Sequence, residues 1–188
     1  ETLANVFDSW FIAPTQADFK SYELRTDGTL FSLPAGDVAL AAGIERQELE
    51  VRLGTQIGVP SLVPMTWRSF DREVDSYYTE MVVPLADGDG LLGKLDFTAA
   101  ARYDDYSDVG STTNTKVGFS WQVTDSLKLR GSRGTSFRAP IIPDIYGNTN
   151  AIRVGRILDP TIGAQVDFAS RTGPNLALTP EEATTWSI

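Results

Sequence analysis

Three aspartates, Asp104, Asp105 and Asp108, crowd the segment YDDYSDVGSTTN and are the nearest this chain comes to a metal site. Calcium wants several hard oxygens, usually from a long loop closed by a bidentate glutamate, and that loop is missing here. A solvated acidic loop is the better reading. The pairs Glu45/Glu48 and Glu181/Glu182 have the residue type for acid–base work, yet neighbouring carboxylates are common on strands and at helix starts. The chain contains no histidine and no cysteine, so the usual general base and the thiolate nucleophile are both missing. Asp87-Gly88-Asp89-Gly90 has the glycines of a phosphate loop without its lysine and reads as a hairpin turn. No catalytic site, metal or cofactor is implied.

Binding chemistry is a different matter. Residues 138–183 carry Asp144, Tyr146, Asn148, Asn150, Arg153, Arg156 and Arg171 among glycines and prolines, and Trp67 lies in an earlier loop. These side chains offer charged, amide and stacking contacts to a small ligand. We take Trp67, Asp144, Tyr146, Asn148, Arg153 and Arg156 as the candidate ligand contacts. A segment this long without element signals is either functional or disordered.

The elements that would hold these loops have a period of two. KVGFSWQV alternates Val117, Phe119, Trp121 and Val123 with Lys116, Gly118, Ser120 and Gln122. Leu127 and Leu129 continue the apolar face beyond a turn at Thr124-Asp125-Ser126. Upstream, Leu95, Phe97, Ala99, Ala101 and Tyr103 oppose Asp96, Thr98, Ala100, Arg102 and Asp104. The patterning places strands over 21–32, 38–53, 72–86, 92–105, 114–123 and 127–137, with a further strand beginning near Thr184. Residues 1–20 are an unassigned lead-in.

Connections are expected to alternate: short turns at 34–36, 87–90 and 124–126, longer loops at 54–71, 106–113 and 138–183. Strands of ten or more residues, at about 3.3 Å each and tilted by about 45°, span an apolar band of roughly 25 Å. Tyr77, Tyr103, Tyr106, Phe119, Trp121 and Phe137 sit where interfacial girdles would. They would suit an aromatic core almost as well.

The net charge of −9, without a Lys/Arg cluster, excludes nucleic acid as a partner. No run is apolar enough for a transmembrane helix, and the first residues carry no signal-peptide pattern. Alternation alone leaves two architectures open, a soluble β-sandwich and a membrane barrel.

Two motifs separate them. One strand ends in Ser136-Phe137-Arg138-Ala139-Pro140, and Asn175-x-x-Leu178-x-Pro180-Glu181 leads into the next. This pair, in this order, resembles the barrel of TonB-dependent receptors, outer-membrane importers of Gram-negative bacteria. Leu176 stands where that family usually has proline. Phe137, Arg138, Ala139, Pro140, Asn175, Leu178, Pro180 and Glu181 are read as structural, since proline ends a strand and fixes the exit of the chain. Arg138 has Asp144 or Glu181 as conceivable carboxylate partners.

The resemblance implies an all-β fold. It would be an antiparallel up-and-down meander of six to seven long strands, part of a transmembrane β-barrel over residues 1–188. It further implies uptake of a scarce nutrient (a siderophore, vitamin or saccharide) under TonB energy coupling. The partners would be outer-membrane lipid, the nutrient, and the inner-membrane TonB complex through segments this chain lacks. Such barrels have roughly 22 strands, so the chain is expected to be a piece of one. Alone, its lipid-type face should be buried by curling, by its own loops or by self-association. The alternative is a soluble sandwich binding carbohydrate, with Trp67, Tyr146 and Trp186 as stacking platforms.

Overall fold

The computed structural model describes residues 10–58, 64–88, 90, 92–146 and 151–188; of residues 10, 57, 58, 151–153, 171 and 172 it describes the backbone alone. Asn148 and Asn150 therefore lie outside the described residues, as do the side chains of Arg153 and Arg171.

Strands dominate. They are β1 (Trp10–Ile12), β2 (Thr15–Leu33), β3 (Gly36–Gly58), β4 (Thr66–Asp87), β5 (Lys94–Tyr106), β6 (Gly110–Thr124), β7 (Leu127–Arg138), β8 (Ala151–Asp159), β9 (Ala164–Thr172) and β10 (Glu181–Ser187). A single-turn helix, α1 (Ile142–Tyr146), follows β7. The main sheet has the order β1-β3-β4-β5-β6-β7-β10, with β2 also pairing β3, and β8 and β9 form a separate ribbon. The pairs β4–β5, β5–β6, β6–β7 and β7–β10 all run antiparallel. This is a meander of strands joined in chain order. β10 takes its place beside β7 after the excursion through α1, β8 and β9.

Strands β2 to β7 run from 12 to 23 residues, far beyond the roughly 5–6 of ordinary globular proteins. Chain contacts divide the molecule into two units. One comprises residues 1–17, 50–70 and 140–179; the other comprises residues 18–49, 71–139 and 180–188.

Cross-strand register assigns each side chain to a face. On one face Val83, Phe97 and Phe119 lie opposite one another, followed by Met81, Ala99 and Val117, and then by Tyr77, Tyr103 and Thr113. Trp121 sits between Leu95 and Leu129, with its indole N–H donating to the Leu92 carbonyl at 2.5 Å. Tyr77 and Tyr103, with ring centroids 6.4 Å apart, mark the other end of this band. Eight residues separate Tyr103 from Leu95, roughly 26 Å along the strand at 3.3 Å per residue.

The shared face of Val117, Phe119, Trp121, Leu127 and Leu129 is as the alternation predicts, while Val123, expected with them, falls at a register shift between Gln122 and Thr124. The burial of this face is not as expected. Val117 and Phe119 are 43% exposed, Leu127 47% and Leu129 42%. The chain has not buried this face on itself, and nothing in the structure supports self-association. Among the described residues no opposing layer covers this face, which is shaped for an apolar solvent.

The expected loop pattern also needs correction. The segment 106–113 is no long loop: β5 and β6 meet in a tight turn at 107–109, and the ladder continues through Tyr103↔Thr113, Asp104↔Thr112 and Asp105↔Ser111. Ladder bonds come from the backbone and are indifferent to side-chain polarity, so polar Ser/Thr residues extend a strand where hydropathy stops marking it. The strand β3 likewise reaches Gly58 and β4 starts at Thr66, which shortens the loop placed over 54–71. Strand β2 starts six residues earlier than its alternation indicated, at Thr15. Residues 138–183 hold α1 and the β8–β9 ribbon; they are not devoid of regular structure.

Candidate functional site: a polar inner face and a loop cluster

The face opposite the apolar band is polar and internally bonded. Alternation turns Ser21, Glu45, Gln47, Ser76, Tyr78, Arg102 and Asp104 away from Tyr77 and Tyr103, and these side chains find one another. The Arg102 guanidinium donates to Asp104 at 2.7 Å, to Glu45 at 3.0 Å and to the Ser76 hydroxyl at 2.9 Å. Ser76 in turn donates to Asp104 at 2.6 Å. Glu45 accepts from Gln47 at 2.6 Å and from Ser21 at 3.0 Å. Tyr78 donates to Glu23, and Arg102 lies over its ring. Four strands, β2 to β5, thus share one network.

Ser76 is almost completely buried, and the Asp104 side chain is 8% exposed. Buried polar groups are tolerated only when bonded, and every buried side-chain polar atom among the described residues has a partner.

A second ion pair locks the end of the β5–β6 hairpin. Arg72 forks onto Asp108 at 2.7–3.0 Å, with both side chains 10% exposed or less. Arg72 also lies over the Tyr106 ring, which meets Phe137 at 5.5 Å. Two of the three aspartates Asp104, Asp105 and Asp108 are therefore engaged by arginines. Asp104 serves Arg102 and Asp108 serves Arg72. Among the described residues no group of acidic side chains is placed to hold a metal ion.

The described loop candidates fall into the unit containing residues 50–70 and 140–179. Tyr146 stacks on Phe70 with centroids 5.0 Å apart and planes at 13°, and its carbonyl accepts from Arg68 at 3.4 Å. Trp67 carries Arg52 over its ring at 5.5 Å. Asp144 lies in α1, where its carbonyl accepts from the Asn175 N–H at 3.0 Å; Ile142 and Ile145 of the same turn are buried. Arg156 pairs with Asp167 at 2.7 Å across the β8–β9 ribbon, and Arg153 stands opposite Ser170 in that ribbon. Trp67, Asp144, Tyr146 and Arg156 all belong to this unit, and Arg156 is engaged there by Asp167 of the ribbon.

The motif residues lie around the end of β7 and the entry to β10. Arg138 pairs with Glu181 at 3.5 Å because the β7–β10 register puts them opposite each other; this register chooses Glu181 over Asp144. Asn175 accepts the Ala177 N–H on its side-chain oxygen and the Leu178 N–H on its carbonyl, so the chain turns before Pro180 and enters β10 at Glu181. The polar network of Arg102 was missed in the sequence reading, which treated those residues as a uniform solvated or lumenal face. Their alternation was visible; the partners that join β2 to β5 lie on other strands.

Comparison with known proteins agrees with this architecture. The siderophore receptor PirA from Acinetobacter baumannii superimposes with a TM-score of 0.59 at 16% identity over 89% of this chain. The chain spans 24% of that receptor's length. A family model described as TonB dependent receptor-like, beta-barrel matches residues 4–188. The long antiparallel strands with one lipid-type and one polar face are thus part of a transmembrane barrel, and the chain belongs to the TonB-dependent receptor β-barrel family.

Proposed function

We propose that this chain forms part of the barrel wall of an outer-membrane receptor in a Gram-negative bacterium. That receptor binds a scarce nutrient outside the cell and imports it with energy from the TonB complex. The reading is transport, not catalysis. One observation supports it above the others: strands of 12–23 residues carry an exposed apolar face on one side and a bonded polar network on the other. A water-facing sandwich would cover the apolar face with a second sheet. A membrane wall leaves it to lipid and turns its polar face to the lumen.

The nutrient is of the class that includes siderophores, vitamins and saccharides. The likeness to a siderophore receptor supports testing a ferric siderophore first. Trp67, Asp144, Tyr146, Asn148, Arg153 and Arg156 are the proposed ligand contacts, contributed together with loops of the rest of the rim.

The test is deletion of residues 147–172 from the full-length receptor. Loss of several rim contacts should lower uptake of a labelled nutrient at least about tenfold, the scale of a binding hot spot, while outer-membrane insertion stays normal. Undiminished uptake by a correctly inserted deletion would show that the segment only shields the surface.

A paired substitution tests the orientation of the wall. Phe119→Arg places a charge on the lipid-type face, at a cost of about 2–4 kcal/mol near the bilayer midplane. Ser120→Arg, one residue along, points to the lumen and should be tolerated. The expected result is poor insertion of the first variant and normal insertion of the second, read by heat-modifiable migration from outer-membrane fractions. Equal insertion of both would contradict the assigned faces.

A further inference from the structure

The charges of the Arg102 network are matched, and one step farther from Tyr103 on the inner face the matching stops. The ladder sets Glu80 opposite Ala100 and Ala100 opposite Lys116. A carboxylate and an ammonium therefore stand two strands apart with only a methyl group between them. Their Cα atoms are separated by about 10 Å, at about 4.8 Å per strand. Among the described residues neither side chain makes a hydrogen bond or a salt bridge, and the Asn114 side chain makes none either.

A cavity of about 300 Å³ occupies this gap, and Tyr78, Glu80, Ala100, Arg102, Asn114 and Lys116 supply its inner-face lining. That is the lower end of the roughly 300–1,000 Å³ of small-molecule sites. Asn114 stands opposite Arg102, one inner position along β6 from Lys116. Arg102 uses Nε for Asp104 and Nη2 for Glu45 and Ser76, and none of these bonds uses Nη1. One wall of the recess thus offers an ammonium, an amide and a guanidinium edge to an oxyanion. The facing wall offers the Glu80 carboxylate to a cation. The other inner-face carboxylates of β5 are Asp96 and Asp104, each four residues from Ala100, about 13 Å along the strand, and Asp104 is spent on Arg102 and Ser76.

We propose that this recess binds the amino-acid-type end of a small nutrient, its carboxylate held by Lys116, Asn114 and Arg102 and its ammonium by Glu80. The inference rests on the transport reading above and narrows the nutrient to one that carries both groups at one end. A zwitterion satisfies both free charges at once. An anion would be repelled by Glu80 and a cation by Lys116, so each unlike ligand meets a penalty as well as a missing contact. Ala100 lies three residues from Tyr103, about 10 Å along the strand. The recess therefore belongs to the passage through the barrel and is distinct from the rim contacts.

The experiment uses the full-length receptor in detergent, dialanine with free ends as the probe, and equilibrium dialysis to read binding. N-acetyl-dialanine lacks the ammonium and dialanine amide lacks the carboxylate. Each should bind at least about tenfold more weakly, the scale of one charge-assisted contact. Lys116→Met should abolish the preference over the amide and keep the preference over the acetylated form; Glu80→Gln should do the reverse. A merely structural role for either residue would not produce this crossed pattern. Ala100→Phe fills the recess without touching a charge and should abolish dialanine binding in a receptor that still inserts; the two charge variants carry the test if it does not insert. Equal binding of the three probes by the wild type, or the same loss of preference in both charge variants, would overturn the site. Absence of dialanine binding would overturn it equally, since the recess would then be closed by another part of the receptor. A wild-type receptor missing from outer-membrane fractions would sink the membrane reading itself; an inserted receptor without the crossed pattern sinks only the inference.

Discussion

Arg72→Ala is expected to destabilise the full-length receptor by about 3–5 kcal/mol, because it strands Asp108 as an unpaired carboxylate. The Asp108 side chain is 6% exposed, and both its oxygens accept from the same guanidinium. Without that fork the 107–109 turn must lift away from β4 to give the carboxylate water. The turn is also held by the Ser107 N–H on the Glu73 carbonyl and by the Glu73 N–H on the Ser107 hydroxyl, each at 3.0 Å, so the change should spread to both strands. Thermal unfolding of the reconstituted receptor measures it. The double variant Arg72→Met, Asp108→Leu should recover much of the loss, since removing both charges also removes their desolvation cost. A single variant that melts with the wild type would show that the pair contributes nothing. A double variant worse than the sum of both singles would show that packing, not charge, was lost.

Gly93→Ala should be the most damaging small substitution in the sheet. Gly93 precedes β5 with φ of 63°, a left-handed conformation that costs a non-glycine residue about 1–3 kcal/mol. Space is the larger problem. A Cβ here would collide with the backbone carbonyl of Gln122, which belongs to β6 and cannot move without breaking its ladder. Gly110 supplies the control. Its φ is 83°, but a Cβ there would meet only open space. We expect Gly110→Ala to cost no more than the backbone strain and Gly93→Ala to cost clearly more, with loss of folded receptor in heat-modifiability assays. Indistinguishable behaviour would mean that the collision is relieved by a small shift and that the hairpin tolerates it.

Both predictions depend on a backbone or side-chain partner far away in the chain, and this marks the limit of what residue order discloses. Period-two alternation in KVGFSWQV and in the residues from Leu95 to Asp104 was enough to identify strands and to sort their side chains between two faces, because a strand's geometry forces that alternation whatever lies beside it. Turn residues located the β6–β7 hairpin, and the motifs at 136–140 and 175–181 pointed to the receptor family through their order and spacing. Hydropathy could not show where the strands end. Beyond the apolar band the ladder continues on backbone bonds alone, so Gly110 to Thr113 carried no hydrophobic mark.

Partner choice was equally hidden. Arg138 had two conceivable carboxylates, and only the β7–β10 register placed Glu181 opposite it. Arg102 looked like one polar residue among many until β3 and β4 brought Glu45 and Ser76 to it beside Asp104 of its own strand. Local chemistry determined which residues alternate and which turn. The tertiary structure decided which charges meet across strands, since ion pairing depends on distances of a few ångströms between residues such as Arg72 and Asp108, 36 positions apart, and Arg102 and Glu45, 57 apart.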